Sequence, residues 1–186
     1  MVSGGTATVL VVDDDEAVAD VYSNQLGDRY DVLTAYDGHS ALEQITEDVD
    51  VVLLDRRMHG LSGRQVLERI RQREYDCGVV MVTAVDPGFD IADMGFDDYL
   101  LKPVTRAELE AAIDETLVRI DERATVREYH AVAAKLSTLQ MEKTPAELTD
   151  TERYERLQAE HDRLEARIES EEAGDSPTSD AHDSDP

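Results

Sequence analysis

Five residues of this chain could do chemistry together: Asp13, Asp14, Asp55, Thr83 and Lys102, each placed where an apolar run stops. Thr8-Val9-Leu10-Val11-Val12 ends in Asp13-Asp14-Asp15, and Val51-Val52-Leu53-Leu54 ends in Asp55. Val79-Val80-Met81-Val82 ends in Thr83, and Tyr99-Leu100-Leu101 ends in Lys102-Pro103. Short runs of β-branched residues and leucine, bounded by charge, read as strands buried on both faces of a parallel sheet. Open α/β sheets bind ligands at the carboxyl ends of their strands, so carboxylates, a hydroxyl and an ammonium delivered to that edge are candidates for chemistry. Neighbouring carboxylates stay ionised together comfortably only when a cation joins them. A small set of oxygen donors suits Mg2+ better than Zn2+ or a full Ca2+ cage. A lysine and a hydroxyl facing a metal-bound carboxylate then make a pocket for a phosphoryl group. Lys occurs only at positions 102, 135 and 143 while every other basic residue is Arg, so a lysine at this strand end points to a site that needs a compact point charge.

The elements that must position these residues follow from periodicity. After Asp15, placed as an N-cap, Val18, Val21, Tyr22 and Leu26 recur at helical spacing and Gly27 follows as a stop. Residues 30–35 read as a strand, Asp37-Gly38 as a turn, and Ala41, Leu42 and Ile45 as a short helix. Gly60 and Gly63 punctuate the loop after Asp55, and Val66, Leu67 and Ile70 mark the next helix. Asp86-Pro87-Gly88 and Gly95 leave room for only a turn or two of helix after Thr83. Thr105 and Glu108 form a capping box ahead of Leu109, Ile113, Leu117 and Ile120 on one helical face. Strands alternating with helices at this pitch predict βαβ units and a five-stranded parallel sheet.

From about Arg123 the pattern changes to alternating charge with sparse apolar residues. Tyr129, Val132, Leu136 and Leu139 form one stripe, and Tyr154, Leu157, His161, Leu164 and Ile168 another, with the break Thr144-Pro145-Ala146-Glu147 between them. Two helices folded back on each other is the simplest reading, pairing Leu139 with Leu157, Leu136 with His161, Val132 with Leu164 and Tyr129 with Ile168. The expected domains are 1–122 (the α/β unit), 123–172 (an antiparallel helical hairpin) and 173–186 (an acidic tail without apolar residues, expected to be disordered).

The motifs Val11-Val12-Asp13-Asp14, Leu54-Asp55, Met58 with Gly60 and Gly63, Thr83-Ala84, and Asp98-Tyr99-Leu100-Leu101-Lys102-Pro103 resemble the receiver domain of two-component response regulators over residues 6–120. The resemblance implies a flavodoxin-like, doubly wound α/β fold with sheet order 2-1-3-4-5, the order of flavodoxin and of chemotaxis receivers. It implies that Asp55 is the phosphoacceptor for a sensor histidine kinase, with Mg2+ bound directly by Asp14, largely through water by Asp13, and also by Asp55 and the Arg57 backbone carbonyl. Thr83 and the Ala84 amide would bond phosphoryl oxygens, Lys102 would neutralise the remaining charge, and Tyr99 would be the aromatic switch that follows Thr83. Such a chain is a phosphoacceptor regulator that assists its own phosphotransfer and dephosphorylation rather than an enzyme. His59 stands where receivers usually carry Pro, and Arg56-Arg57 puts two cations beside the phosphorylation site. The C-terminal stripes resemble the HalX domain that follows receivers in halophilic archaea, which implies transcriptional regulation.

Composition bounds the partners. With 43 acidic against 18 basic residues the net charge is -25, a field that opposes direct nucleic-acid binding and anionic membranes. Abundant acid with scarce lysine is similar to proteins of salt-loving cytoplasms. Cys77 stands alone, and neither a signal peptide nor a membrane span is expected, so a cytoplasmic location follows. A homodimer is compatible with the hairpin stripes. The alternative to an output on DNA is a receiver-based adaptor or phosphate sink acting through protein contacts. A hydrolase working through an aspartyl phosphate is disfavoured, since Arg56-Arg57 and no general acid follow Asp55.

Overall fold

In a computed structural model that describes residues 6–73, 75–120, 124–149 and 151–174, the alternating pattern becomes β1 (Thr8–Val12), α1 (Glu16–Leu26), β2 (Asp31–Ala35), α2 (Gly38–Gln44), β3 (Val51–Leu54), α3 (Gly63–Gln72), β4 (Gly78–Thr83), a 3-10 turn η1 (Phe89–Asp93), β5 (Asp98–Leu101) and α4 (Arg106–Ile120). The strands pair in parallel in the order β2-β1-β3-β4-β5, the doubly wound order expected. β1, β3 and β4 are buried on both faces because their side chains alternate between two apolar clusters. Val9, Val11, Val51, Leu53, Val80 and Val82 face α1 and α4, whereas Leu10, Val12, Val52, Leu54, Val79 and Met81 face the other side. Caps fix where the helices begin. Asp15 accepts from the Ala17 and Val18 amides, Asp37 from His39 and Ser40, and Thr105 exchanges bonds with Glu108.

The appendage folds as α5 (Ala124–Glu142), α6 (Pro145–Thr149) and α7 (Glu152–Gly174). Its contacts are nested: Gln140 donates to the Tyr154 hydroxyl at 2.9 Å, the Tyr129 and His161 rings lie 4.7 Å apart, and Arg167 donates to the Thr125 hydroxyl. Partners advance along α5 as they retreat along α7, which is an antiparallel hairpin. The ring of Tyr129 lies on His161, about two turns short of the Ile168 that the stripe pairing assigns to it. The expected 122/123 boundary falls outside the described residues. α7 runs through Gly174, so the first two residues of the expected tail are helical, and 175–186 lie outside the described residues.

The hairpin does not bury its stripes against itself alone. Val132, Leu136, Leu139, Leu148, Tyr154, Leu157 and Leu164 join one apolar cluster with Ile91, Met94, Phe96 and Tyr99 and with the strands behind them. α5 packs on β5 and η1, and α7 on η1. The short 3-10 turn leaves open a sheet face that a full helix would cover, and the hairpin covers it. At the amino-terminal edge of the sheet, buried Asp97 accepts from the Val79 amide and from Arg71 of α3, both at 2.7 Å, and from Arg127 of α5 at 3.3 Å. Arg127 also bonds Asp76 and the Cys77 carbonyl. A buried carboxylate held by two guanidiniums is a costly arrangement to break from one side, so it fixes the root of the hairpin to the sheet.

Candidate functional site

The strand order itself assembles the site. β1 and β3 are neighbours with Val12 opposite Leu54, so Asp13 and Asp55 emerge side by side at the carboxyl edge. β4 and β5 follow with Thr83 opposite Leu101, which brings Lys102 to the same edge. Backbone bonds continue past the strand ends: the Asp55 amide donates to Val12, Asp13 to Ala35, and Lys102 to Thr83. The loop after β3 folds back so closely that a Cβ on Gly63 would lie 2.0 Å from the Asp55 carbonyl oxygen, and Gly60 takes a φ of 75°. Glycine is required at the first position for space and favoured at the second for its left-handed backbone.

Asp13 and Asp55 are nearly closed to solvent, and Lys102 sits between them. Its Nζ pairs with Asp13 Oδ2 and lies 3.3 Å from Asp55 Oδ1. The other Asp55 oxygen accepts from the Arg57 amide at 2.9 Å. Asp14 completes the acid group, and one carboxylate oxygen from each of Asp13, Asp14 and Asp55 lies within 4.8 Å of the others. Asp14 Oδ2 takes the His59 amide at 2.9 Å and also the Nδ1 of the same, fully exposed ring. Burial pushes the Asp14 carboxyl up, but these two His59 bonds outweigh it and hold the group below its usual range.

Burial also raises the Asp13 carboxyl, and there it prevails over the bond from Lys102, with Asp55 adding to the rise. Burial pulls the Lys102 ammonium down, yet the bond to Asp13 and the attraction of Asp55 leave it above its ordinary value. Asp13 and Lys102 thus both hold their protons more tightly than in water, Asp13 chiefly through burial and Lys102 through its two carboxylate neighbours. Three carboxylates face one ammonium, and a small oxygen-seeking cation would relieve the excess. The donor set therefore fits Mg2+.

Thr83 is fully buried at the end of β4, and its hydroxyl accepts from the Val85 amide at 3.3 Å. Ala84 between them is exposed at the mouth of the site. Tyr99 is buried with its hydroxyl on the Val85 carbonyl at 2.8 Å. The structure thus brings Asp13, Asp14, Asp55 and Lys102 into one cluster, with Thr83 on the adjoining strand end and Tyr99 joined to Thr83 through one residue. The sequence marks Arg56 only as a cation beside the site. Its guanidinium points across to η1, where it pairs with Asp90. Asp97 and Asp90 escape sequence reasoning altogether, since an acidic residue in a loop of so acidic a chain carries no signal of its own.

A family model for the response regulator receiver domain matches residues 9–114, more than half of the chain. The chain belongs to the response regulator receiver family. A HalX domain model matches residues 118–184, so the protein is a receiver followed by a HalX domain. Receiver domains are phosphoacceptor regulatory domains rather than typical enzymes. A Haloferax volcanii protein named "Putative transcriptional regulator" is 47% identical over 89% of this chain, which spans 29% of that relative's length. Among solved structures, a Clostridium thermocellum receiver domain is 32% identical with a TM-score of 0.56, covering 61% of this chain and 95% of that one. Vibrio cholerae CheY4 is 28% identical with a TM-score of 0.57, covering 61% of this chain and all of that one. Thermotoga maritima TrrA, solved in complex with Mg(2+)-BeF, is 28% identical with a TM-score of 0.54 and covers 60% of this chain and 99% of that one. These likenesses account for the sheet order and for the flavodoxin-like fold. Among the described residues no helix is long and apolar enough to cross a membrane.

Proposed function

We propose that this receiver is a working phosphorylation switch: Asp55 accepts a phosphoryl group from a sensor histidine kinase, and the state of Asp55 is passed to the HalX hairpin to regulate transcription. The observation that carries the reading is the contact of one ammonium, Lys102, with both Asp13 and Asp55 at the mouth of the sheet. An Asp55 oxygen would attack phosphorus, the P–N bond of a phosphohistidine would break, and the imidazole would leave as the phosphoryl group becomes an acyl phosphate. Asp13, Asp14, Asp55 and the Arg57 carbonyl would hold Mg2+, which supplies charge neutralisation to the transferring group. Lys102 would take one phosphoryl oxygen, and Thr83 with the Ala84 amide the others. His59 would yield Asp14 to the metal at little cost, because its ring is fully exposed.

A second reading, an adaptor or phosphate sink acting through protein contacts, is favoured by the net charge of -25, which opposes direct contact with nucleic acid. The Haloferax relative's name supports the transcriptional reading. A cytoplasmic location agrees with a histidine-kinase partner. A homodimer built on the β5 side would require the hairpin to move, since α5 and α7 cover it. The deciding experiment for the site is the mass of the protein after acetyl phosphate and Mg2+ in concentrated KCl. A gain of one phosphoryl group that is absent in Asp55→Asn supports the assignment, and a gain that survives Asp55→Asn overturns it.

A further inference from the structure

Between Asp55 and the hairpin lies a short chain of charged contacts that the receiver chemistry does not use. Arg56, next to the phosphoacceptor, sends a largely buried side chain to η1, where Nη2 pairs with Asp90. Its other terminal nitrogen, Nη1, is buried and has no hydrogen-bond partner. A guanidinium presents several donors in a rigid fork, and a buried donor left unmade carries the full desolvation penalty, so the arrangement at rest is incompletely satisfied. Burial raises the Tyr99 phenol and Arg56 opposes that rise, first by a side-chain hydrogen bond and then by its charge, which locates the guanidinium beside the ring whose hydroxyl holds Val85. On the far side of η1, Asp93 pairs with Arg153 of α7 at 3.1 Å, and Ile91 lies in the cluster shared with Leu139, Tyr154 and Leu157. The same five-residue turn is therefore gripped by the residue after the phosphoacceptor and by the output helices.

We propose that Arg56 is a positioning residue and a latch: its pair with Asp90 holds η1, and with it the docked hairpin, until a phosphoryl group on Asp55 draws the guanidinium away. This rests on Asp55 being the phosphoacceptor. A phosphoryl group brings close to two negative charges and three strong acceptors next to an arginine that has an unused donor, whereas Asp90 offers a single, part-exposed carboxylate. When Arg56 turns to the phosphoryl group, η1 loses its charged anchor on the β3 side and keeps the apolar contacts that Ile91 makes in the cluster shared by sheet and hairpin. The turn and the hairpin then loosen on the sheet face, raising the exposure of Met94, Phe96 and the stripe residues.

The test is hydrogen exchange on the full chain in concentrated KCl with Mg2+, with and without beryllofluoride as the phosphoryl analogue, whose binding is read separately by fluorine NMR. In the wild type, amides of η1 and of 132–139 and 154–164 should be protected at rest and exchange roughly tenfold faster once the analogue binds. Asp90→Asn should exchange at that faster rate already at rest and respond little to the analogue. The reversed pair, Arg56→Glu with Asp90→Arg, should restore protection at rest and keep it after loading, because a carboxylate at position 56 has nothing to offer a phosphoryl group; a merely structural role for Arg56 would not give that uncoupling. Asp90→Asn that is protected like the wild type at rest, or whose hairpin still responds fully to the analogue, overturns the latch. Failure of wild type to bind beryllofluoride would defeat the phosphoacceptor reading instead, and the resting exchange of Asp90→Asn would still decide whether the pair holds η1.

Discussion

The Tyr99 hydroxyl donates to the Val85 carbonyl at 2.8 Å, while the Val85 amide donates to the Thr83 hydroxyl at 3.3 Å. One residue thus joins the aromatic ring on β5 to the hydroxyl at the end of β4. Any shift of Thr83 toward a phosphoryl group pulls on the bond that keeps Tyr99 inward.

Tyr99→Phe removes the donor and leaves the Val85 carbonyl without that partner, at a cost of about 0.5–1.5 kcal/mol. Amides of Ala84, Val85, Asp86 and Gly88 should exchange faster, while labelling of Asp55 by acetyl phosphate continues, since Tyr99 bonds none of Asp13, Asp55 and Lys102. Urea denaturation and the labelling rate measure the two halves. A labelling rate that falls with stability would move Tyr99 from switching to loading.

Mg2+ should stabilise the resting protein, because it relieves repulsion among Asp13, Asp14 and Asp55 and binds only the folded state. A hundredfold excess over Kd adds about 2.7 kcal/mol. Melting in concentrated KCl with and without millimolar Mg2+ reads the effect, and Asp14→Ala should abolish it. An equal rise in Tm in that variant would place the ion elsewhere.

Lys102→Arg should not behave as a conservative change. The Lys102 side chain is 16% exposed and its single nitrogen reaches two carboxylates, whereas a guanidinium is planar and wider. Displacing Asp55 by about 1 Å from the transferring group should slow acetyl phosphate labelling by roughly ten- to a hundredfold. A wild-type rate would mean that charge alone matters here.

Lys135→Met should raise stability at neutral pH, because it removes a charge held out of water. Lys135 is buried, with Nζ 5.6 Å from the centre of the Phe96 ring, and burial lowers its pKa from the ordinary 10.5. A lowered lysine is disfavoured as the cation in the folded state. Its cost is present in full below the folded pKa and disappears as pH rises from there to the ordinary value. The advantage of the methionine variant should therefore shrink between neutral pH and pH 10.5. A constant advantage at all pH values would attribute it to packing.

Sheet and candidate site are legible in the sequence for one reason: the apolar runs of β1, β3, β4 and β5 halt on Asp13, Asp55, Thr83 and Lys102, which announce both the strand end and the edge. Even the absence of a full helix between β4 and β5 can be read from Asp86-Pro87-Gly88 and Gly95. The docking of the hairpin cannot. A stripe such as Val132, Leu136 and Leu139 says that a helix face is buried but not against what, and a two-body pairing is the economical inference from it. With the sheet as a third body, the stripes converge on Ile91, Met94 and Phe96, and Tyr129 meets His161 instead of Ile168. The ion pairs that set this geometry, Arg71 and Arg127 on Asp97 and Arg56 on Asp90, join residues far apart in sequence and leave no periodic trace.

The apolar cluster that runs from Leu10 through Phe96 to Leu164 also bears on modularity. A fragment ending at residue 120 would present Ile91, Met94 and Phe96, now 0%, 3% and 1% exposed, to water, and should bind apolar dyes and aggregate more readily than the full chain. The place where one family model gives way to the next is thus not a line of weakness in the folded chain. Grafting this hairpin onto a receiver with a full-length helix after β4 would give it no seat, so the portable unit is the hairpin together with η1 and the truncated connection that makes room for it.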